Sequence, residues 1–203
     1  MSSKWGYEEK EILELLAHTD IRGTWVNLAC GDGRFMHALL KNAKVIATDI
    51  DKNELKYLNN NISGNFKAMF SDITKKLPFR SHSIDGVFCV GTLHLFEKKI
   101  LSKIFKEINR IMKPEGIFIF DLATDIKRVL LSGENLQDNY FGTKKEPRHT
   151  SAAGKKIIND LLIEHNFKLI NLIKGKVPDE ALKYKGQKYV FKCNFWSIKA
   201  QKI

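Results

Sequence analysis

Thr24-Trp25-Val26-Asn27-Leu28-Ala29-Cys30-Gly31-Asp32-Gly33-Arg34-Phe35 opens a stretch that runs on to Lys44-Val45-Ile46-Ala47-Thr48-Asp49. The apolar run Trp25, Val26, Leu28 and Ala29 ends in a turn of small residues. Behind that turn Phe35, Met36, Leu39 and Leu40 recur at helical spacing, so the order reads strand, tight turn, helix. A second apolar run, Val45 to Ala47, closes on Asp49. Asp49 follows Gly31 by 18 positions, near the roughly 20 that separate a nucleotide-binding turn from the acid holding a ribose. Gly31 and Gly33 let backbone approach a ligand without an intervening Cβ. A helix starting near Gly33 would offer unpaired N–H groups to an anion, and Asp49 can accept hydrogen bonds from a ribose diol. Together these residues point to an adenosine-bearing ligand.

A dinucleotide fingerprint needs a third glycine three positions after the second, and that position is Met36. A phosphate loop needs Gly-Lys-Ser/Thr, but Gly33 is followed by Arg34 and Phe35. No phosphate cradle is encoded. The stretch Val26-Asn27-Leu28-Ala29-Cys30-Gly31-Asp32-Gly33 resembles motif I of the class I S-adenosylmethionine-dependent methyltransferases, Leu-Asp-Leu/Val-Gly-Cys-Gly-Thr-Gly. It departs from that motif twice. Asn27 replaces an Asp and loses one charge facing the methionine ammonium; Ala29 replaces the first Gly. S-Adenosylmethionine carries a carboxylate, an ammonium and a sulfonium but no phosphate, which suits a turn of acidic and carbonyl groups.

The 203 residues suit one domain over positions 1–203. Within it, residues 1–22 read as an N-terminal cap helix and 123–149 as an insertion on the substrate side. A hydrophobic fraction of 43% with 28% charged is ordinary for a soluble globule. No apolar stretch approaches the roughly 18 residues that span a bilayer, and Met1 to Lys10 lacks the apolar region of a signal peptide. Cys30, Cys89 and Cys193 are odd in number and widely spread, so neither a disulfide framework nor a metal cluster is expected, and the location expected is the cytoplasm. The net charge of +11 fits an anionic partner such as RNA. It fits a lysine-rich composition equally, because lysines are spread along the chain.

Taken in order, residues 7–18 read as an amphipathic helix with Ile12, Leu13, Leu15 and Leu16 inward, with Trp5 and Tyr7 either lid or packing residues. Asp51 can cap a crossover helix carrying Leu55, Leu58 and Ile62, and Phe66 to Phe70 is a short strand. The resemblance places the acid that meets the adenine amino group at Asp72. Leu77-Pro78-Phe79 followed by Ser83-Ile84-Asp85 resembles a second family run. Ile84 to Val90 is a strand, followed by Gly91-Thr92-Leu93-His94, where the family commonly places a His below the sulfonium. Residues 97–113 form a helix ended by Pro114. Lys113-Pro114-Glu115-Gly116 resembles the family turn that precedes the buried strand Ile117 to Phe120.

From Asp121 to His149 the pattern dissolves, apart from a short helix suggested by Val129, Leu130 and Leu131. Long irregular segments are more often functional than idle, and in the family this one contacts substrate, which makes Tyr140, Phe141, Arg148 and His149 candidates. Tyr140 to Lys144 has the spacing of a dehydrogenase Tyr-x-x-x-Lys pair, but Gly142 and Thr143 inside it deny the helix that chemistry needs. Thr150 or Ser151 caps a helix bearing Ile157, Ile158, Leu161 and Leu162. Phe167 to Ile173 and Tyr189 to Ile198 read as strands joined by a basic loop, Lys174 to Lys188, an antiparallel hairpin finishing the sheet.

Alternating strands and helices with a terminal hairpin give an α/β sandwich with a mostly parallel sheet. The resemblance implies a Rossmann-like seven-stranded sheet in the order 3-2-1-4-5-7-6. It also implies S-adenosyl-L-methionine as cofactor and S-adenosyl-L-homocysteine as product, with a pocket formed by Asn27, Ala29, Cys30, Gly31, Gly33, Asp49, Ile50, Asp72, Ile73, Cys89, Val90 and His94. His94 and His149 are the candidate bases, and no metal is expected. The expected reaction is in-line methyl transfer to a small molecule; RNA methylation and a non-catalytic cofactor-binding module are the alternatives. Oligomeric state is not legible.

Overall fold

Thr24–Leu28 forms β1 at the centre of a sheet, between the parallel strands β2 (Lys44–Asp49) and β4 (Ile84–Cys89). The structure, a computed structural model, describes residues 9–130, 155–176, 180–184 and 187–203. Outward from β2 lies β3 (Phe66–Phe70), also parallel. On the other side β5 (Met112–Leu130) runs parallel to β4, β8 (Gln187–Lys202) antiparallel to β5, and β6 (Phe167–Lys176) antiparallel to β8. The path β3-β2-β1-β4-β5-β8-β6 is the 3-2-1-4-5-7-6 order of the sequence reading, with an eighth short strand, β7 (Glu180–Tyr184), paired to β8.

Among the described residues five helices cover the sheet: α1 (Lys10–Ala17), α2 (Met36–Leu39), α3 (Lys52–Asn61), α4 (Lys98–Ile111) and α5 (Lys155–Glu164). Alternation along β1 sorts them into two layers. Val26 and Leu28 face a cluster with Leu101, Ile104 and Phe105 of α4 and Ile158 and Leu162 of α5. Trp25 faces the opposite cluster, with Ile12 and Leu15 of α1, Met36 of α2 and Leu58 of α3. Covering both faces is what makes the central strands read as continuous apolar runs. Gly86 is required beneath Trp25, since a Cβ there would lie 2.3 Å from the indole. Asp51 caps α3 as expected, its side chain accepting from the Asn53 N–H at 2.8 Å.

The Leu77-Pro78-Phe79 run has a structural role. The Arg110 guanidinium donates to the Phe79 and Leu77 carbonyls at 2.9 and 3.0 Å, and Glu107 accepts from the Leu77 N–H at 2.9 Å. Arg110 and Glu107 also pair with each other at 2.8 Å. Arg110→Ala is expected to cost about 2 kcal/mol, because charge-assisted bonds to backbone are lost together. Chemical denaturation would show a lower midpoint at unchanged slope. The hydrogen bond from Arg110 holds the Glu107 carboxyl below its usual range. Its contribution is therefore present above the unfolded value of about 4.3 and fades as pH falls below it.

Two expectations are corrected by strand pairing. The short helix at Val129 and Leu130 is instead strand: β5 pairs with β4 only as far as Cys89↔Phe120, then continues against β8 to Leu130↔Tyr189. A long partner strand overrides the local apolar triplet. The basic loop Lys174 to Lys188 is largely strand, since β6 continues to Lys176 and β7 occupies part of the remainder. Lysine-rich edge strands lack a buried-face alternation, so they read as loop. The helix after the glycine turn is a single turn, beginning only at Met36. Tyr140, Phe141, Arg148 and His149, the caps Thr150 and Ser151, and Trp5 and Tyr7 lie outside the described residues. No helix among the described residues is long and apolar enough to cross a membrane.

Candidate cofactor site

At the carboxyl end of β1 the chain turns through Ala29 to Phe35, and the hydrogen bonds of that turn decide what it can hold. Gly31 N–H donates to Asp49 Oδ2 at 2.8 Å, and Gly33 N–H to the Cys30 carbonyl at 3.0 Å. Both glycine amides are thus consumed inside the turn. Since α2 is also one turn long, the helix-terminus anion site expected from sequence is not formed. The two glycines differ in purpose. Above Gly31, at φ +52°, a Cβ would meet nothing within 4 Å. At Gly33 it would lie 2.2 Å from Leu58 Cδ1. Gly31 therefore opens the backbone to a ligand, whereas Gly33 admits α3.

Ala29 stands at φ +50°, where an L side chain is strained by about 1–2 kcal/mol. Ala29→Gly is therefore expected to raise the melting temperature by about 2–4 °C for a chain of this size, which scanning calorimetry would measure.

Asp49 is 9% exposed, with Oδ2 bonded to Gly31 and Oδ1 accepting from the Asp51 N–H at 2.8 Å. Each oxygen retains a second lone pair for a ribose hydroxyl. At the end of the neighbouring strand, Asp72 Oδ1 accepts from the Thr74 hydroxyl and N–H at 2.7 and 2.8 Å. The Thr74 hydroxyl is the main cause holding the Asp72 carboxyl below the usual range. In register, Asp49 lies beside Phe70, so Asp49 and Asp72 occupy adjacent strand ends. Ile50 and Phe70 leave apolar surface there, 60% and 52% exposed.

The remaining expected residues divide between crevice and core. Asn27 is buried, its amide donating to Met36 Sδ at 3.6 Å. Burial, with Asp49 next, pushes the Cys30 thiol up to about 12, so it is not a nucleophile. Cys89 is fully enclosed in the α4–α5 cluster and its thiol is pushed up by burial. Val90 belongs to the opposite cluster, Ile73 packs at the edge of the first, and His94 lies in the 3-10 turn Leu93–Leu95.

Residues 26–120 match the profile of the family described as "Methyltransferase domain". Over these residues the chain is similar to that family. The curated relative is YqeM of Bacillus subtilis, itself named only as a candidate methyltransferase, 28% identical over 110 residues. That match covers 52% of this chain and 44% of the relative, less than half its length. Among solved structures, PH0226 from Pyrococcus horikoshii superposes with a TM-score of 0.67 at 20% identity, covering 96% of this chain and 89% of that one. An S-adenosylmethionine-dependent methyltransferase from Methanosarcina mazei gives 0.63 at 16%, covering 94% and 97%. Magnesium protoporphyrin IX methyltransferase from Synechocystis PCC 6803, with S-adenosylmethionine bound, gives 0.59 at 14%, covering 95% and 76%. At these identities the likeness shows a shared fold, the Rossmann-like fold of methyltransferases.

The sequence reading left four residues around this crevice without a role. Glu9, just ahead of α1, is buried and pairs with Arg34 at 3.2 Å. A Cβ on Gly91 would sit 3.6 Å from the same guanidinium. Asp121 accepts from the Gly91 N–H at 2.6 Å. An acid ending an apolar strand was the signal used for Asp49, and the same signal stands at Asp121 after Ile117 to Phe120. Among the described residues no group of three or more His, Cys, Asp and Glu side chains could hold a metal.

Proposed function

We propose that this chain transfers a methyl group from S-adenosyl-L-methionine to a small-molecule acceptor, leaving S-adenosyl-L-homocysteine. The observation that carries the reading is the Gly31 N–H bonded to Asp49 beneath open space. This turn spends the Gly31 amide on a carboxylate and the Gly33 amide on the Cys30 carbonyl, which supports a ligand with a ribose and no phosphate. The buried groups around it fit a cation as well, with Asp32, Asp49, Asp121 and Glu9 set against the single guanidinium of Arg34 among the described residues.

In this reading Asp49 holds the ribose hydroxyls, Asp72 the adenine amino group, and Ile50 and Phe70 the adenine faces. Asn27, Ala29, Cys30, Gly31 and Gly91 shape the wall at the methionine end, with Ile73, Cys89 and Val90 behind it and Gly33 seating α3 beneath the turn. The sulfonium supplies an already activated methyl group. The protein's contribution is to hold an acceptor atom about 3 Å from that methyl, in line with the bond that breaks. A base adds to this only where the acceptor carries a proton of high pKa. His94, on the turn after β4, is the described candidate; His149 is a second, outside the described residues. His94→Ala is expected to lower turnover by about 10²-fold for such an acceptor, with cofactor affinity unchanged.

An RNA acceptor is the second reading, favoured by the net charge of +11. Incubating the protein and methyl-labelled cofactor with fractionated cell extract separates the two readings. Label that survives ribonuclease in small molecules supports the first, and label lost with ribonuclease moves the acceptor to RNA.

A further inference from the structure

The far wall of the crevice holds an acid whose burial packing does not explain. Asp121 is 5% exposed, and its carboxylate accepts a hydrogen bond from the Gly91 N–H, with its own backbone N–H also favouring the charged form. Glu9 from ahead of α1 and Arg34 from the glycine turn act on it electrostatically, and Cys89, on the other face of the sheet, feels both Asp121 and Asp49. Directly across the ladder on β8 is Ser197, fully buried, whose hydroxyl has no hydrogen-bond partner. The next pair on that face, Ala123 and Phe195, is apolar and buried. Two polar residues thus stand side by side at the edge of an apolar core, on the side of the sheet that carries α1.

A carboxyl group stripped of water, served only by neutral backbone amides and close to a second carboxylate, resists ionisation unless a cation joins it. Burial first, and Glu9 next, push the Asp121 carboxyl up to about 7, against the opposing pull of the Gly91 N–H and Arg34. The two ligands of the proposed reaction differ by one methyl group and one positive charge. The cofactor is a sulfonium cation at sulfur, and its product is a neutral thioether. Their adenosine and amino-acid parts are the same.

We propose that Asp121 distinguishes fresh cofactor from spent product, releasing its proton to solvent when the sulfonium form enters the crevice and keeping it when the thioether occupies the same place. Ionised Asp121 then stabilises the incoming cation and offers the neutral product nothing, which favours product release. This rests on the methyltransferase reading above, and the test separates the two.

Titration calorimetry at pH 7 in buffers of different ionisation heat measures protons exchanged on binding. With S-adenosylmethionine about half a proton more should be released than with S-adenosylhomocysteine, as a group half-protonated at pH 7 requires. The product serves as the control for the shared amino-acid part. Between pH 6 and pH 8 affinity for the cofactor should rise by up to about tenfold relative to the product. Asp121→Asn keeps an oxygen for Gly91 and should erase the difference between the ligands.

A ligand-free readout is also available. A carboxyl whose folded pKa is raised contributes stability that is present at low pH and lost as pH rises through about 7. The loss begins at the unfolded value of about 3.9, so the melting temperature of Asp121→Asn should gain on that of the wild type as pH rises, with a larger gain at pH 8 than at pH 5. Equal proton release with both ligands, or a difference that persists in Asp121→Asn, would overturn the assignment while leaving the methyltransferase reading intact. If neither ligand binds the wild type, both fall together.

Discussion

Asp49→Ala is expected to weaken S-adenosylmethionine binding by at least about 100-fold, equivalent to about 2.8 kcal/mol. Two losses combine. The ribose loses its carboxylate partner, and the Gly31 and Asp51 N–H groups lose their common acceptor. An orphaned buried donor costs about 1–3 kcal/mol, so the fold should weaken as well, and a freed Gly31 amide should let the turn change shape. Asp49→Asn separates the effects, since its amide keeps one acceptor oxygen and thus one of the two backbone bonds. Equilibrium binding on Asp49→Asn, run beside denaturant melts, reads both. Undiminished affinity in Asp49→Ala would show that the ligand does not sit over this strand end.

The second large effect contrasts two glycines two residues apart. Gly33→Ala places a methyl 2.2 Å from Leu58 Cδ1 at φ +79°, combining overpacking with left-handed backbone strain, about 3 kcal/mol together. Its signature is loss of stability, with binding lost only in proportion to unfolding. Gly31→Ala, at φ +52° with open space above it, carries only the backbone strain of about 1–2 kcal/mol. It places its methyl where the ligand must lie, so affinity should fall about tenfold or more while the protein remains folded. Melting curves and binding isotherms of the two variants should therefore rank in opposite orders. A Gly31→Ala protein that binds normally would relocate the ligand away from the turn.

Sequence alone carried the central sheet because each of its strands ends in a chemical signal. Apolar runs closing on Asp49, on Ser71-Asp72 and on Gly91 set β2, β3 and β4, and Lys113-Pro114-Glu115-Gly116 marked the passage from α4 into β5. What it could not carry depended on partners distant in the chain. The outer half of β5 is strand because β8 lies beside it, and nothing local to Val129-Leu130 announces that partner. The two motif glycines look equivalent in sequence, yet one faces the crevice and the other Leu58. Asn27, read as facing the cofactor ammonium with its amide oxygen, also donates its amide N–H to Met36, a contact with no local signal. The Glu9–Arg34 pair joins residues 25 positions apart through a contact that only the folded chain creates. Asp121 was the one legible omission, an acid at a strand end passed over because the sequence after it has no pattern.

The central claim is that the crevice over Gly31 and Asp49 takes a phosphate-free sulfonium nucleoside. Equilibrium dialysis of the intact chain against methyl-labelled S-adenosylmethionine tests it most directly. The expected result is one equivalent retained per chain, displaced by S-adenosylhomocysteine and not by a nicotinamide dinucleotide. No retained label, or label displaced by the dinucleotide as readily as by S-adenosylhomocysteine, would contradict it.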